Sequence, residues 1–229
     1  MSHMTKHRFV EEKKRLLDRY KRAKYVQSEL AAAAFLKVPR ELFLPESQIP
    51  WAYSDRPLPL MSTGQTISAP HMTVMILEYL DLKPGLKILE VGAGSGYQAA
   101  LIAAVVAPPE FPHPGHVYSI EIVSDLVPFA KSNLEEAGFS DFVTVIEGDG
   151  TLGYPEKAPY DRIVLTAAGP RVPPPLLSQL RIGGLLVMPL GAPGFWQQMK
   201  SFRKVSETET TEQTLSSVAF VPLRGKHGI

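Results

Sequence analysis

The sequence predicts a doubly wound α/β domain on a mostly parallel sheet. Two patterns carry that expectation: from residue 86 onward short apolar runs alternate with helix-patterned segments, and a glycine loop stands directly after the first such run. With 229 residues, 45% of them hydrophobic, the chain is long enough for one domain with a substantial core. The expected division is a single domain, with an N-terminal helical cap over residues 1–60, a ligand-binding core over 61–191 and C-terminal strands over 192–229. The chain has no Cys, which excludes disulfides, thiolate metal sites and a cysteine nucleophile. Its longest apolar run, residues 99–107, is far below the roughly 20 residues of a membrane span. A soluble, cytoplasmic protein is the expectation. Abundant Pro (21) and a single Asn, Asn133, match habits of heat-adapted proteins and suggest a thermophilic source.

Residues 1–25 hold nine basic and three acidic residues, a charge of +6 that leaves −5 for the rest. Leu16, Leu17, Tyr20, Val26 and Leu30 follow helical spacing, so the segment reads as an amphipathic helix with a solvated basic face rather than a nucleic-acid contact. Pro39 should end that helical run, because proline disfavours helix in the residue before it. A proline-punctuated stretch over 45–59 follows. Ser68 is then a plausible N-cap, with Pro70 early in a helix reaching Leu80. Residues 86–91 read as the first strand, 92–96 as the glycine loop and 97–106 as a helix. The four prolines in 108–115 mark a surface insertion. Strands are expected at 116–121, 142–147, 162–167 and 185–188, with helices at 123–137 and 176–180. Residues 197–204 and 214–222 read as two final strands around a polar loop.

The loop Gly92-Ala93-Gly94-Ser95-Gly96 ends a strand and opens a helix, the place where parallel sheets bind ligands. Dinucleotide sites use G-x-G-x-x-G. Here the spacing is G-x-G-x-G, with Tyr97 where the third glycine would stand, which suits a ligand without a pyrophosphate, such as S-adenosylmethionine. Glu121, at the end of the second strand, is placed to accept two ribose hydroxyls. Gly148-Asp149-Gly150, after the third strand, offers a carboxylate and a tight loop for an adenine edge. No His, Asp and Glu cluster at metal-ligand spacing, and the six His are scattered.

Further segments make a resemblance specific: Gly64-Gln65-Thr66-Ile67-Ser68-Ala69-Pro70-His71-Met72, Leu89 to Gln98, Ala158-Pro159-Tyr160-Asp161, Thr166-Ala167-Ala168, Gln179 to Gly191 and Phe220-Val221-Pro222-Leu223. With these the chain resembles the protein-L-isoaspartate (D-aspartate) O-methyltransferase family from about residue 6 to 224. The insertion at 108–115 and Met61-Ser62-Thr63 depart from the family pattern without touching the implied chemistry. The resemblance implies a Rossmann-like fold of the S-adenosylmethionine-dependent methyltransferase type, with N-terminal helical and C-terminal strand additions. It implies methyl transfer from S-adenosyl-L-methionine, giving S-adenosyl-L-homocysteine, to the free carboxylate of an L-isoaspartyl residue. Ser68 is the expected catalytic residue. Gln65, Thr66, Ile67, Ser68, Glu90, Gly92, Ala93, Gly94, Gly96, Glu121, Ile122, Gly148, Asp149 and Gly150 are expected at the cofactor. His71, Ala167, Ala168, Val221 and Pro222 are expected at the substrate, Val221 by pairing its backbone with an extended peptide. The implied partners are isoaspartyl-containing proteins and peptides, with no nucleic acid, membrane or metal, and a monomer or small homo-oligomer. The alternatives are a methyltransferase of this fold acting on nucleic acid or a small molecule, and a non-catalytic cofactor-binding adaptor. After the fourth strand the chain reads Thr166-Ala167-Ala168-Gly169-Pro170, not the Asn-Pro-Pro-Tyr type of motif expected of the first alternative.

Overall fold

The computed structural model describes residues 3–192 and 196–229, with side chains from residue 7 onward. The expected single N-terminal helix is two, α1 (His3–Arg22) and α2 (Glu29–Lys37). Lys24 takes a left-handed φ of 60°, and Ser28 caps α2 by accepting from the Ala31 N–H. The Ser28 N–H and hydroxyl both donate to Glu78, fifty residues away, which anchors this local cap to the helix Pro70–Tyr79. Leu16, Leu17, Tyr20 and Val26 are buried as their spacing suggests, but Leu30 is exposed. Nor is the basic face wholly solvated. Lys13 is buried and donates to the carbonyls of Leu36 and Val38, satisfying the C-terminal end of α2. Burial pulls its pKa down to about 8.

A short hairpin follows, β1 (Leu58–Leu60) antiparallel to β2 (Gln65–Ile67), and then α3 (Pro70–Tyr79). Beyond it the alternating pattern gives β3 (Lys87–Val91), α4 (Tyr97–Val106), β4 (His116–Glu121), α5 (Leu126–Glu136), β5 (Val143–Glu147), β6 (Tyr160–Leu165), α6 (Pro174–Gln179), β7 (Leu180–Leu190), β8 (Gln197–Lys204) and β9 (Thr210–Val218). These seven strands form one sheet in the order β5-β4-β3-β6-β7-β8-β9. Pairing is parallel from β5 to β7 and antiparallel for β8 and β9. The chain moves outward from β3 to β5 and returns to place β6 on the other side of β3, so the order reverses at the β3 and β6 ends.

Both faces of the sheet are buried, and successive strand residues divide between them. Ile88, Val117, Val164 and Val187 join the core under α1 to α5, whereas Leu89, Ile120, Ile163 and Leu186 join the core on the α6 side. Helix α4 buries nine of its ten residues, because it lies between the sheet and α2, α3 and α5; hence it is apolar all round rather than amphipathic.

Two boundaries differ from expectation for identifiable reasons. Helix α5 begins at Leu126, not 123, since the Glu121 carboxylate takes the Val123 N–H and holds the intervening residues as a turn. Strand β9 covers 210–218 rather than 214–222. Gln197 engages both the N–H and the carbonyl of Phe220 through its side chain, and the chain then turns back to pair with Ala168.

Candidate active site

The C-terminal ends of β3, β4 and β6 open into a cavity of about 800 Å³, part of it continuous with solvent. Gly92, Gly94 and Gly96 have φ of 98°, 56° and 87°, a backbone that side chains strain to adopt. At Gly92 a Cβ would also lie 2.4 Å from the Thr166 Oγ1, whose hydroxyl donates to the Gly92 carbonyl. Glu121 holds the loop from across the strand boundary. Its Oε2 accepts from the Gly94 N–H at 2.8 Å and its Oε1 from the Val123 N–H at 2.9 Å. Each oxygen keeps one lone pair, and the residue lines the cavity while only 5% exposed.

The opposite wall is the strap formed by β2 and the residues after it, with Gln65, Thr66, Ile67 and Ser68 all lining the cavity. Ser68 is not the helix cap that the sequence suggests. Ala69 is the N-cap residue, no side chain caps α3, and Pro70 takes the first position, where its missing N–H costs nothing. Among the described residues nothing engages the Ser68 hydroxyl. Its carbonyl is held instead: buried Arg40 donates from Nη2 to Ser68 and from Nε to Ala52, each at 2.8 Å, and its guanidinium lies 5.0 Å from the Tyr97 ring. The strap is thereby tied to the first residue of α4.

Of the other expected cofactor residues, Ala93, Ile122 and Gly150 line the cavity. Glu90, Gly96, Gly148 and Asp149 do not. Gly96 turns toward α5, where a Cβ would meet Leu134 and Ala130. The Gly148 N–H is spent on the Glu121 carbonyl. Asp149, expected to face an adenine edge, accepts from the Thr151 N–H and hydroxyl and from the Lys226 N–H. On the substrate side Ala167, Val221 and Pro222 line the cavity, and Ala168 and His71 do not. The Val221 carbonyl accepts from Ala168, and Val221 lies beyond the last strand rather than on it, so only its N–H remains for a peptide. The His71 Nδ1 lies 2.8 Å from Asp55, whose carboxylate also binds the His71 N–H, Tyr20 and Arg19. Burial works against that charge, but the His71 and Tyr20 bonds outweigh it and lower the Asp55 pKa. This network joins α1 to the first turn of α3. Thr73, Gln98, Thr166 and Arg224 also line the cavity and were not expected there. Thr166, just past the end of β6, and Gln98, in the first turn of the helix that the glycine loop opens, carried a positional signal.

Glu90 lies beneath the glycine loop, fully buried, with Oε2 accepting from the Ser119 hydroxyl at 2.5 Å and Oε1 without a partner among the described residues. Burial pushes its pKa up to about 8, helped by the Glu121 charge and opposed by Ser119. The folded state therefore holds a proton that the unfolded state, near 4.5, releases. Stability from this group is full below pH 4.5 and is lost as pH rises through about 8. Glu90→Gln keeps the neutral shape, so denaturant melts should show it gaining on the parent protein across that window. Parallel curves for the two proteins would refute a protonated Glu90.

Comparisons with known proteins identify the family. A family profile described as Protein-L-isoaspartate(D-aspartate) O-methyltransferase matches residues 11–228. A protein-L-isoaspartate O-methyltransferase of Hyperthermus butylicus is 52% identical over 96% of this chain and 91% of its own length. One from Staphylothermus marinus is 49% identical over 96% and 97%. A Plasmodium falciparum chain assigned to the same activity, solved in complex with S-adenosyl-L-homocysteine, superposes with a TM-score of 0.80 at 28% identity, covering 92% of this chain and 97% of that one. With a family profile matching residues 11–228 and a relative 52% identical over nearly the whole chain, the chain belongs to the protein-L-isoaspartate O-methyltransferase family.

Proposed function

We infer that this chain esterifies the free carboxylate of L-isoaspartyl residues in damaged proteins and peptides, with S-adenosylmethionine as methyl donor and S-adenosylhomocysteine as product. The observation that carries the reading is the placement of Ser68, with a hydroxyl that no described residue engages, across one cavity from the glycine loop. The residues fit the donor. Glu121 has a lone pair left on each oxygen for vicinal hydroxyls, the glycines admit close approach of a ligand, and the buried Gln98 Oε1 is an acceptor without a partner among the described residues, suited to an ammonium group. When bound, the cofactor supplies an electrophilic methyl group.

The chain's part is then positioning. An isoaspartyl carboxyl titrates near ~3.9 in solution and arrives ionised at neutral pH, so no side chain has to remove a proton. Ser68 donates to one carboxylate oxygen and leaves the other free to attack. The strap Gln65–Ile67 covers the reacting atoms and excludes water, and Arg40 keeps that strap in register with α4. Arg224, in the cavity lining, supplies positive potential for an anionic substrate. The Val221 N–H is the remaining backbone donor for an extended peptide. The whole chain acts as one methyltransferase domain, as a monomer or small homo-oligomer without nucleic acid or membrane, in the cytoplasm of a heat-adapted source. The absence of Cys supports that location, and no helix among the described residues is long and apolar enough to cross a membrane.

The deciding assay offers two peptides that differ only in an aspartyl or isoaspartyl linkage. Methyl transfer to the isoaspartyl peptide alone is expected. Equal transfer to both, or to neither, would overturn the assignment.

A further inference from the structure

Asp149–Gly150 is the sole Asp-Gly pair in the chain, and the single Asn is followed by Leu134. In such a pair the glycine amide has no side chain to shield it. Its nitrogen can attack the Cγ of the protonated aspartyl carboxyl group: an N–Cγ bond forms, the carboxyl hydroxyl leaves as water together with the amide proton, and a five-membered imide results. Hydrolysis then returns one water at the α-carbonyl carbon, breaks that carbon's bond to nitrogen and leaves the chain running through Cγ. The backbone gains one methylene group. Here that extension would fall in the cavity wall, since Gly150 lines the cavity and is buried.

The pair is not replaceable in this fold. A Cβ at Gly150 would lie 2.5 Å from the Val91 Cγ1, and the Asp149 side chain caps the 3₁₀ turn Gly150–Leu152. A chain with a single Asn therefore holds its most isomerisation-prone linkage beside the ligand site.

The C-terminal segment packs onto that linkage. The Lys226 N–H donates to the Asp149 Oδ2 at 2.7 Å, and the Thr151 N–H and hydroxyl donate to Oδ1 at 2.9 and 2.7 Å. The His227 N–H reaches the Thr151 Oγ1 at 3.2 Å. Gly225, at φ +121°, approaches so closely that a Cβ would lie 2.1 Å from the Asp149 Oδ1. Bonds from the Gly228 N–H to the Gly225 carbonyl and from the Ile229 N–H to the Leu223 carbonyl fold the segment on itself. Ring closure would have to pull the carboxyl group away from all three donors. We propose that residues 225–228 are a guard that keeps Asp149–Gly150 from isomerising, so that this chain protects in its own cavity wall the linkage whose damaged form it acts on. The same donors, against the opposing effect of burial, lower the Asp149 pKa, and an ionised carboxylate is the poorer electrophile.

The test is ageing of the full-length protein at neutral pH, below its unfolding transition. Peptide mapping reads the isoaspartyl fraction at residue 149 in the parent chain, in Gly225→Ala and in Thr151→Val, beside a free peptide spanning residues 146–153. Because modification tracks the time the segment spends open, the parent should isomerise about tenfold or more slowly than either variant, and the variants should approach the free peptide. Variants as slow as the parent, or a parent as fast as the peptide, would overturn the proposal. If neither variant folds, hydrogen exchange on the parent decides it: a guard requires slow exchange at the Lys226 and Thr151 amides, and exchange at the rate of unprotected amides would overturn it.

Discussion

Ser68→Ala lowers turnover on an isoaspartyl peptide by about 10- to 1000-fold, the size of one lost oriented hydrogen bond in a site shielded from water. S-adenosylhomocysteine affinity should barely move. The expectation rests on a hydroxyl that no described residue engages, on a strap pinned through the Ser68 carbonyl rather than its side chain. Removing the hydroxyl therefore leaves the strap and α3 in place, which a capping serine would not allow. His71 is the rival, as an imidazole paired with a carboxylate is a familiar general base. Its Nδ1 is paired with Asp55 in that manner, but the residue does not line the cavity. A base mechanism predicts that turnover declines from about pH 8 to about pH 6 as an imidazole gains its proton, and that His71→Ala is the more damaging change. Positioning of an ionised carboxylate predicts neither. Turnover of both variants across that range separates the two, and a folded, inactive His71→Ala beside a nearly normal Ser68→Ala would reverse the assignment.

Glu121→Ala should weaken S-adenosylhomocysteine binding by roughly 2–4 kcal/mol, about 30- to 1000-fold in Kd. The carboxylate has two tasks. It fixes the Gly94 and Val123 N–H groups, and its remaining lone pairs are available to hydroxyls. An analogue lacking both ribose hydroxyls separates these tasks by titration calorimetry. Should Glu121 hold the ribose, the parent protein will lose affinity for the analogue while the variant scarcely distinguishes the two ligands. A variant that still discriminates as strongly as the parent would confine Glu121 to loop support.

The elements legible in the amino-acid order are those set by local chemistry. The glycine run after an apolar strand, the helix Tyr97–Val106 and the strands His116–Glu121 and Gln197–Lys204 follow from periodicity, from glycine's freedom at positive φ and from turn residues at their ends. The Gln65–Ser68 strap was legible only through resemblance, since nothing local says that it crosses the cavity. Which side chains are already committed to a partner follows from packing between distant segments. Ser28 starts the second helix with Glu78 holding it from fifty residues away, and no described residue engages the Ser68 hydroxyl because Ala69 and Pro70 begin α3 without a cap. Asp149 belongs to a segment seventy-seven residues away. Gln197 ends the last strand by holding both polar groups of Phe220. Three of these are hydrogen bonds between distant residues, and a single polar side chain has many possible partners but satisfies few. Spacing along the chain locates such groups, and packing chooses among them.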